Sequence, residues 1–193
     1  MGNLRSVEKA LSYLGFPAIV TSQPQEIKQA GKLILPGVGA FGDAMQELGQ
    51  RNLIAVIKDS VQEGRALLGI CLGLQVLFDK SEEAPEVPGL GLIPGEVRRF
   101  KTKLKVPHMG WNRIKMQQPC PLLDSISNES YFYFVHSYYV KPNDNEVIVA
   151  LTDYDGDFVS MIQRGNLFAT QFHPEKSQQW GLKILRNFGE LKP

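Results

Sequence analysis

The run Ala66-Leu-Leu-Gly-Ile70 constrains this chain more than any other stretch. It is apolar at every position, without the alternation of a half-exposed strand, so it reads as a strand covered on both faces. Lys32-Leu-Ile-Leu35 reads as a second strand, stopped by the turn Pro36-Gly37-Val38-Gly39. Between them the pattern predicts a helix from about Asp43 to Leu48. Another runs through Leu53, Ile54, Val56, Ile57 and Val61 to a stop at Gly64. Strands alternating with helices imply a parallel sheet wound in βαβ units. Upstream, Leu4, Val7, Leu11 and Leu14 fall at helical spacing, Gly15 caps that segment, and Pro17 to Ser22 reads as a short strand.

The character changes after about Ser81. Glu82 to Pro88 is acidic and proline-rich, hence an exposed loop. Six strands are expected beyond it: Gly89 to Phe100, Val106 to Ile114, Tyr131 to Val140, Glu146 to Asp153, Phe158 to Gln163, and Leu167 to Phe172. Asp155-Gly156 is a hairpin signal between two of them. Leu182, Leu185 and Phe188 form one stripe of a final helix from Gln178 to Leu191. With no repeat, low-complexity tract or long linker, the 193 residues are expected to form a single domain, 1–193.

Composition removes several classes of function. Twenty-one Lys and Arg against 20 Asp and Glu leave a net charge of +1, too little to draw nucleic acid or an anionic membrane. The longest apolar run, Ala66 to Phe78, is too short to span a bilayer and reads as core. Two cysteines, Cys71 and Cys120, make no disulfide framework, and a reducing cytoplasm is the expectation. His108, His136 and His173 lie far apart and form no zinc motif. No signal peptide is visible. Met1-Gly2-Asn3-Leu4-Arg5-Ser6 fits the loose N-myristoylation pattern, a short match without the second signal that stable anchoring needs.

Gly69-Ile70-Cys71-Leu72-Gly73 sits where a buried strand turns into a helix, the arrangement of a nucleophile elbow with Cys in place of Ser. A thiol there meets free helix N–H groups, and the Leu72 amide points toward a developing oxyanion. A thiol nucleophile needs a base, and the base needs an orienting acid. Phe172-His173-Pro174-Glu175 offers both, with Glu175 two residues after His173 on a turn that Pro174 fixes. His108 and His136 have no carboxylate at such a spacing, and Cys120, between two prolines, is expected to be a loop thiol without a role. Pro36-Gly37-Val38-Gly39 ends a strand on the same sheet edge, where open α/β sheets bind ligands; it is too short for a P-loop.

Gly69-Ile-Cys-Leu-Gly-Leu-Gln75 together with Gln171-Phe-His-Pro-Glu-Lys-Ser177 resembles the class I (triad) glutamine amidotransferases. The resemblance implies an α/β fold with an open, mostly parallel central sheet flanked by helices. It implies a flavodoxin-like core and an additional antiparallel strand region. Four further stretches narrow the likeness, over essentially the whole chain, to the glutaminase subunits of imidazole glycerol phosphate synthase in histidine biosynthesis. They are Gly2-Asn-Leu-Arg-Ser-Val7, Pro36-Gly-Val-Gly39, Pro107-His-Met-Gly-Trp-Asn112 and Tyr133-Phe-Val-His-Ser-Tyr138.

The resemblance implies that Cys71 attacks the glutamine carboxamide, that His173 protonates departing ammonia and then activates water, and that Glu175 orients His173. The Leu72 amide and an amide of the Gly37-Val38 turn would form the oxyanion hole, the turn flipping to offer it. Gly39, Gln75 and the backbone around Ser137 and Tyr138 would hold glutamine. A (β/α)8-barrel cyclase subunit is the implied partner, in a heterodimer, receiving ammonia across an interface near Lys176, Met109, Trp111 and Asn112. No cofactor and no metal is called for. In that family a hydrophobic strand precedes Gly-Asn-Leu-Arg-Ser, and here Met1 stands at that turn, so a sheet lacking its first strand is expected. A sibling glutaminase would share the triad but not the narrower stretches. A silent module on the same fold would not react with a glutamine-mimicking electrophile, and a cysteine hydrolase of another amide or ester is the remaining rival.

Overall fold

The computed structural model describes residues 4–192. Gly2 and Asn3, where the myristoylation-like match and the Gly-Asn-Leu-Arg-Ser stretch begin, lie outside the described residues. Helix α1 spans Leu4–Tyr13 and α2 Pro24–Gln29, followed by β1 at Lys32–Gly37. Then come α3, Phe41–Gln50, α4, Leu53–Gln62, and β2, Ala66–Cys71. A single turn of helix, α5 at Leu72–Gln75, leads to β3, Phe78–Ser81. The strand-rich part holds β4 (Ile93–Arg99), β5 (His108–Arg113), β6 (Lys115–Met116), β7 (Tyr131–His136) and β8 (Tyr138–Pro142). It continues with β9 (Ile148–Asp153), β10 (Asp157–Arg164) and β11 (Leu167–Thr170), and α6 closes it at Gln178–Glu190.

One nine-stranded sheet organises the molecule, in the order β1-β2-β11-β10-β8-β4-β3, with β9 also on β10 and β6 on β9. The βαβ expectation holds at one end, where β1, β2 and β11 run parallel. The antiparallel strands β10, β8 and β4 continue the same sheet. Side chains alternate across β2: Leu67 faces a cluster with Phe41, Met45, Val56 and Ile57, while Leu68 and Ile70 face Val7, Leu11, Ile184 and Phe188. So α2, α3 and α4 cover one face and α1 and α6 the other, which is why the strand carries no polar residue. Leu68 and Ile70 are fully buried, each contributing about 2 kcal/mol by removal from water.

Two expectations need correction. Pro17 to Ser22 forms no strand; Ile19 is 81% exposed, and β-branched composition alone makes no strand without a neighbour to bond. Tyr131 to Val140 is not one strand but two, broken at Ser137, with β7 in a separate hairpin sheet with β5 and β8 in the main sheet. Cys120 is buried against Leu122 and Leu123, where removal from water pushes its thiol up to about 11. Among the described residues β1 pairs with β2 only, and its residues are all half-buried. No described helix is long and apolar enough to cross a membrane.

Candidate active site

Cys71 ends β2 with φ 56° and ψ −108°, a conformation that costs a non-glycine residue about 1–3 kcal/mol and persists only where packing enforces it. The enforcement is visible next door. A Cβ on Gly73 would lie 1.8 Å from the Leu35 carbonyl oxygen, and one on Gly69 would lie 2.9 Å from the Gly73 carbonyl. The two glycines let α5 sit directly on β1 and β2, and the cysteine between them has one conformation left. In the parallel register Gly37 stands beside Cys71, so the Gly37-Val38-Gly39 turn and the Leu72 amide share one edge. Gly39 has φ +104° and Val38 is 43% exposed.

His173 follows β11 at the same edge, with Nδ1 2.7 Å from Oε1 of Glu175; both side chains are fully buried. Burial alone would lower the His173 pKa. Hydrogen bonds to the Cys71 thiol and to Glu175 outweigh it and raise the imidazole to about 9. The imidazole thus stands between a thiol that favours its charged form and a carboxylate that fixes Nδ1, the order of groups a thiol nucleophile with a histidine base requires. The loop is held from beneath. The His173 amide donates to the Tyr133 carbonyl (2.9 Å), the Tyr133 amide donates to Ser177 Oγ (3.0 Å), and that hydroxyl donates to the His173 carbonyl (2.7 Å). Helix α6 closes over it at Gly181, where a Cβ would lie 1.8 Å from the Pro174 carbonyl oxygen.

Gln75 is buried and its amide is engaged: Nε2 donates to the Tyr138 carbonyl (3.0 Å) and to Gln171 Oε1 (3.2 Å). Gln171 Nε2 in turn lies 3.8 Å from Cys71 Sγ. Gln171 and Ser177 both belong to the stretch that carries the resemblance, yet residue type alone assigned neither a role. Ser137 is the break between β7 and β8, its carbonyl accepting from the Phe100 amide (3.1 Å).

The residues expected at an interface divide between two faces. Alternation along β5 puts Met109 (62% exposed) and Trp111 (46% exposed) outside. Opposite Trp111 on β7 is Tyr133, whose ring it meets edge-on at 6.1 Å, and Lys176 Nζ lies 5.8 Å from the same ring. Asn112 faces inward, bonded to His108 and to the Asp153 carbonyl. An open cleft of about 580 Å³, lined by Trp111, Glu129, Tyr131, Ser177, Gln178 and Trp180, lies beside this outer face and not over Cys71.

Residues 2–190 match the family model for glutamine amidotransferase class-I. The chain belongs to the class-I glutamine amidotransferases. It is 55% identical over 191 residues to the imidazole glycerol phosphate synthase subunit HisH of Moorella thermoacetica, covering 99% of this chain and 91% of that one. The subunit of the same name from Desulfitobacterium hafniense is 51% identical over 189 residues, covering 98% and 90%. HisH 1 of Methanococcus maripaludis is 50% identical over 194 residues, covering 98% and 95%. Among solved structures, PurLQS from Thermotoga maritima superposes with a TM-score of 0.79 at 17% identity, covering 97% of this chain and 92% of that one. A crystal structure of a glutamine amidotransferase gives 0.74 at 21% identity, covering 98% and 95%. These two likenesses are of fold, and the mixed α/β sheet of this class-I amidotransferase is the fold they share.

Proposed function

We propose that this chain is the glutaminase subunit of an imidazole glycerol phosphate synthase and that Cys71, His173 and Glu175 are its catalytic triad. The observation that carries the reading is a fully buried His173 hydrogen-bonded to Glu175 at the same sheet edge as the thiol of the strained elbow, which favours the charged form of the imidazole. In the first half-reaction the Cys71 sulfur, its proton passed to His173, forms a bond to the carboxamide carbon of glutamine. The oxyanion is received by the Leu72 amide and by one from the Gly37-Val38 turn. The imidazolium gives its proton to the amide nitrogen as the C–N bond breaks, releasing ammonia and leaving a glutamyl thioester. His173 then takes a proton from water as the water attacks the thioester. Glutamate leaves and the thiol is restored. Glu175 keeps the Nδ1–H tautomer throughout and offsets the positive charge on the ring.

Gly39 and the backbone at Ser137 and Tyr138 border this edge and hold the amino-acid end of glutamine, with Gln75 bracing the Tyr138 carbonyl from inside. The partner is the cyclase subunit, a (β/α)8 barrel, seated on the face of exposed Met109, Trp111 and Lys176 and half-buried Tyr133 behind the triad loop. Ammonia is useful to the partner only while sheltered from solvent water, so hydrolysis next to that face suits the transfer. A reducing cytoplasm suits a thiol nucleophile. The test is glutamate release from glutamine, with and without the cyclase subunit and its nucleotide substrate, against a Cys71→Ala control. Release that requires the partner and disappears in the control is expected. Release that persists in Cys71→Ala would remove the triad, and its absence with the partner present would remove the pairing.

A further inference from the structure

His108 and His136 are the histidines that the triad leaves unused, and they are buried against each other on the inner face of β5 and β7. His108 Nδ1 lies 2.9 Å from His136 Nε2. Their neighbours settle where the protons are. His136 Nδ1 is 2.8 Å from the Tyr138 carbonyl, which only accepts, so Nδ1 carries a hydrogen. Burial, beside the rings of Phe100, Phe134 and Phe158, lowers His108 to about 4 and His136 to about 3, and both are neutral at pH 7. A neutral imidazole has one N–H, so His136 Nε2 accepts and His108 Nδ1 donates to it. His108 Nε2 is then an acceptor, and Asn112 Nδ2 faces it at 3.2 Å. That amide's other proton goes to the Asp153 carbonyl at 2.9 Å, and Asn112 Oδ1 accepts from the Arg113 amide at 2.8 Å. Every donor meets an acceptor in this one direction.

The chain runs on into the active site. The Tyr138 carbonyl also accepts from Gln75 Nε2, Gln75 Nε2 also donates to Gln171 Oε1, and Gln171 Nε2–H points at Cys71 Sγ. We propose that His136, backed by His108 and Asn112, is a positioning residue for the nucleophile. The ordered chain fixes the Tyr138 carbonyl, and through Gln75 and Gln171 it aims an N–H at the Cys71 sulfur. Such a network is stiff because breaking any link strands a buried polar group. The inference rests on Cys71 being the nucleophile of the proposed function, but its test reads the thiol and not glutamine.

The experiment measures the second-order rate constant for alkylation of Cys71 by iodoacetamide in the full chain, with the modified residue located by mass spectrometry. His136→Leu fills the space without a donor and slows alkylation about tenfold. His136→Asn returns an N–H near the Tyr138 carbonyl and recovers the rate to within about threefold, a rescue that a purely space-filling role would not give. Cys120, buried in the core, reports folding by staying unmodified. A wild-type rate in folded His136→Leu, or a loss that Asn does not recover, overturns the proposal. Where His136→Leu exposes Cys120, Asn112→Ala at the half-buried end decides: slowing of about twofold to threefold supports the chain, and a wild-type rate overturns it. A chain that shows the alkylation pattern but hydrolyses no glutamine keeps this inference and loses the function.

Discussion

Around Cys71 the backbone has no room, whereas the neighbouring turn at Gly37-Val38-Gly39 opens into space within three residues. On the elbow side, a Cβ at Gly73 would collide with the Leu35 carbonyl at 1.8 Å. On the turn side, a Cβ at Gly37 would meet Leu72 Cβ at 2.9 Å, but one at Gly39 would meet nothing within 4 Å. Both turns end adjacent parallel strands on the same sheet edge, so the difference does not come from topology. It follows from task. The sulfur proposed to form a covalent bond is held in one strained conformation by its packing. The turn proposed to lend an amide to the oxyanion is anchored at one end only, and it retains freedom to adjust.

The largest effect should come at the immobile side. Cys71→Ala lowers glutamine hydrolysis on the order of a thousandfold or more, read as glutamate release with the cyclase subunit present. Glu175→Gln leaves the sulfur in place but removes the charge that supports the imidazolium, and on the order of a hundredfold is lost in the same assay. Stability separates the two turns directly. Gly73→Ala costs about 3 kcal/mol in urea denaturation because backbone must shift, and Gly39→Ala costs about 1 kcal/mol from its positive φ alone. Equal costs would erase the distinction between them.

Acidity gives a gentler handle. His173 is raised from 6.5 to about 9 in the fold, so its pairing with Glu175 and Cys71 stabilises fully below pH 6.5 and fades as pH rises through about 9. His108 and His136 have the opposite sign. The unfolded chain takes up their protons below 6.5, and the fold does not until about 4 and 3. Stability therefore drops on acidification by up to about 1.4 kcal/mol per pH unit for each histidine. Urea midpoints measured from pH 4 to 10 should show both slopes, with His136→Asn flattening the acid limb only. Smallest is Lys176→Ala: losing an exposed cation over Tyr133 costs about 0.5–1 kcal/mol in affinity for the cyclase, with reduced salt dependence, measured by calorimetry.

Period and punctuation carried the parallel end of the fold. The unalternating Ala66 to Ile70 run, the stops at Gly15 and Gly64 and the Asp155-Gly156 turn all stand where their chemistry implies. What escaped depends on partners distant in the chain. Pro17 to Ser22 has the composition of a strand, but pairing needs a neighbour that composition does not report. The break at Ser137 is hidden because strand-forming aromatic and β-branched residues stand on both sides of it. Strand β3 starts at the last residue of the apolar run and continues as Asp79-Lys80-Ser81, a polar stretch whose composition marks no strand. In the site, the elbow and the His-Pro-Glu turn were legible because glycine and proline announce their geometry. The His108–His136 pair was not, since 28 residues separate two rings that meet only after β5 and β7 pair. Asn112 was within reach of period-two reasoning, which places it with His108 and opposite Trp111.

Tyr133 carries one further consequence. The His173 loop is tied to its main chain, while its ring belongs to the outer face with Trp111 and Lys176. Main-chain bonds do not depend on which side chain the residue bears. A designer could therefore rewrite the outer surface at this position, to retune affinity or to accept a different cyclase, and leave His173 hanging from the same peptide groups.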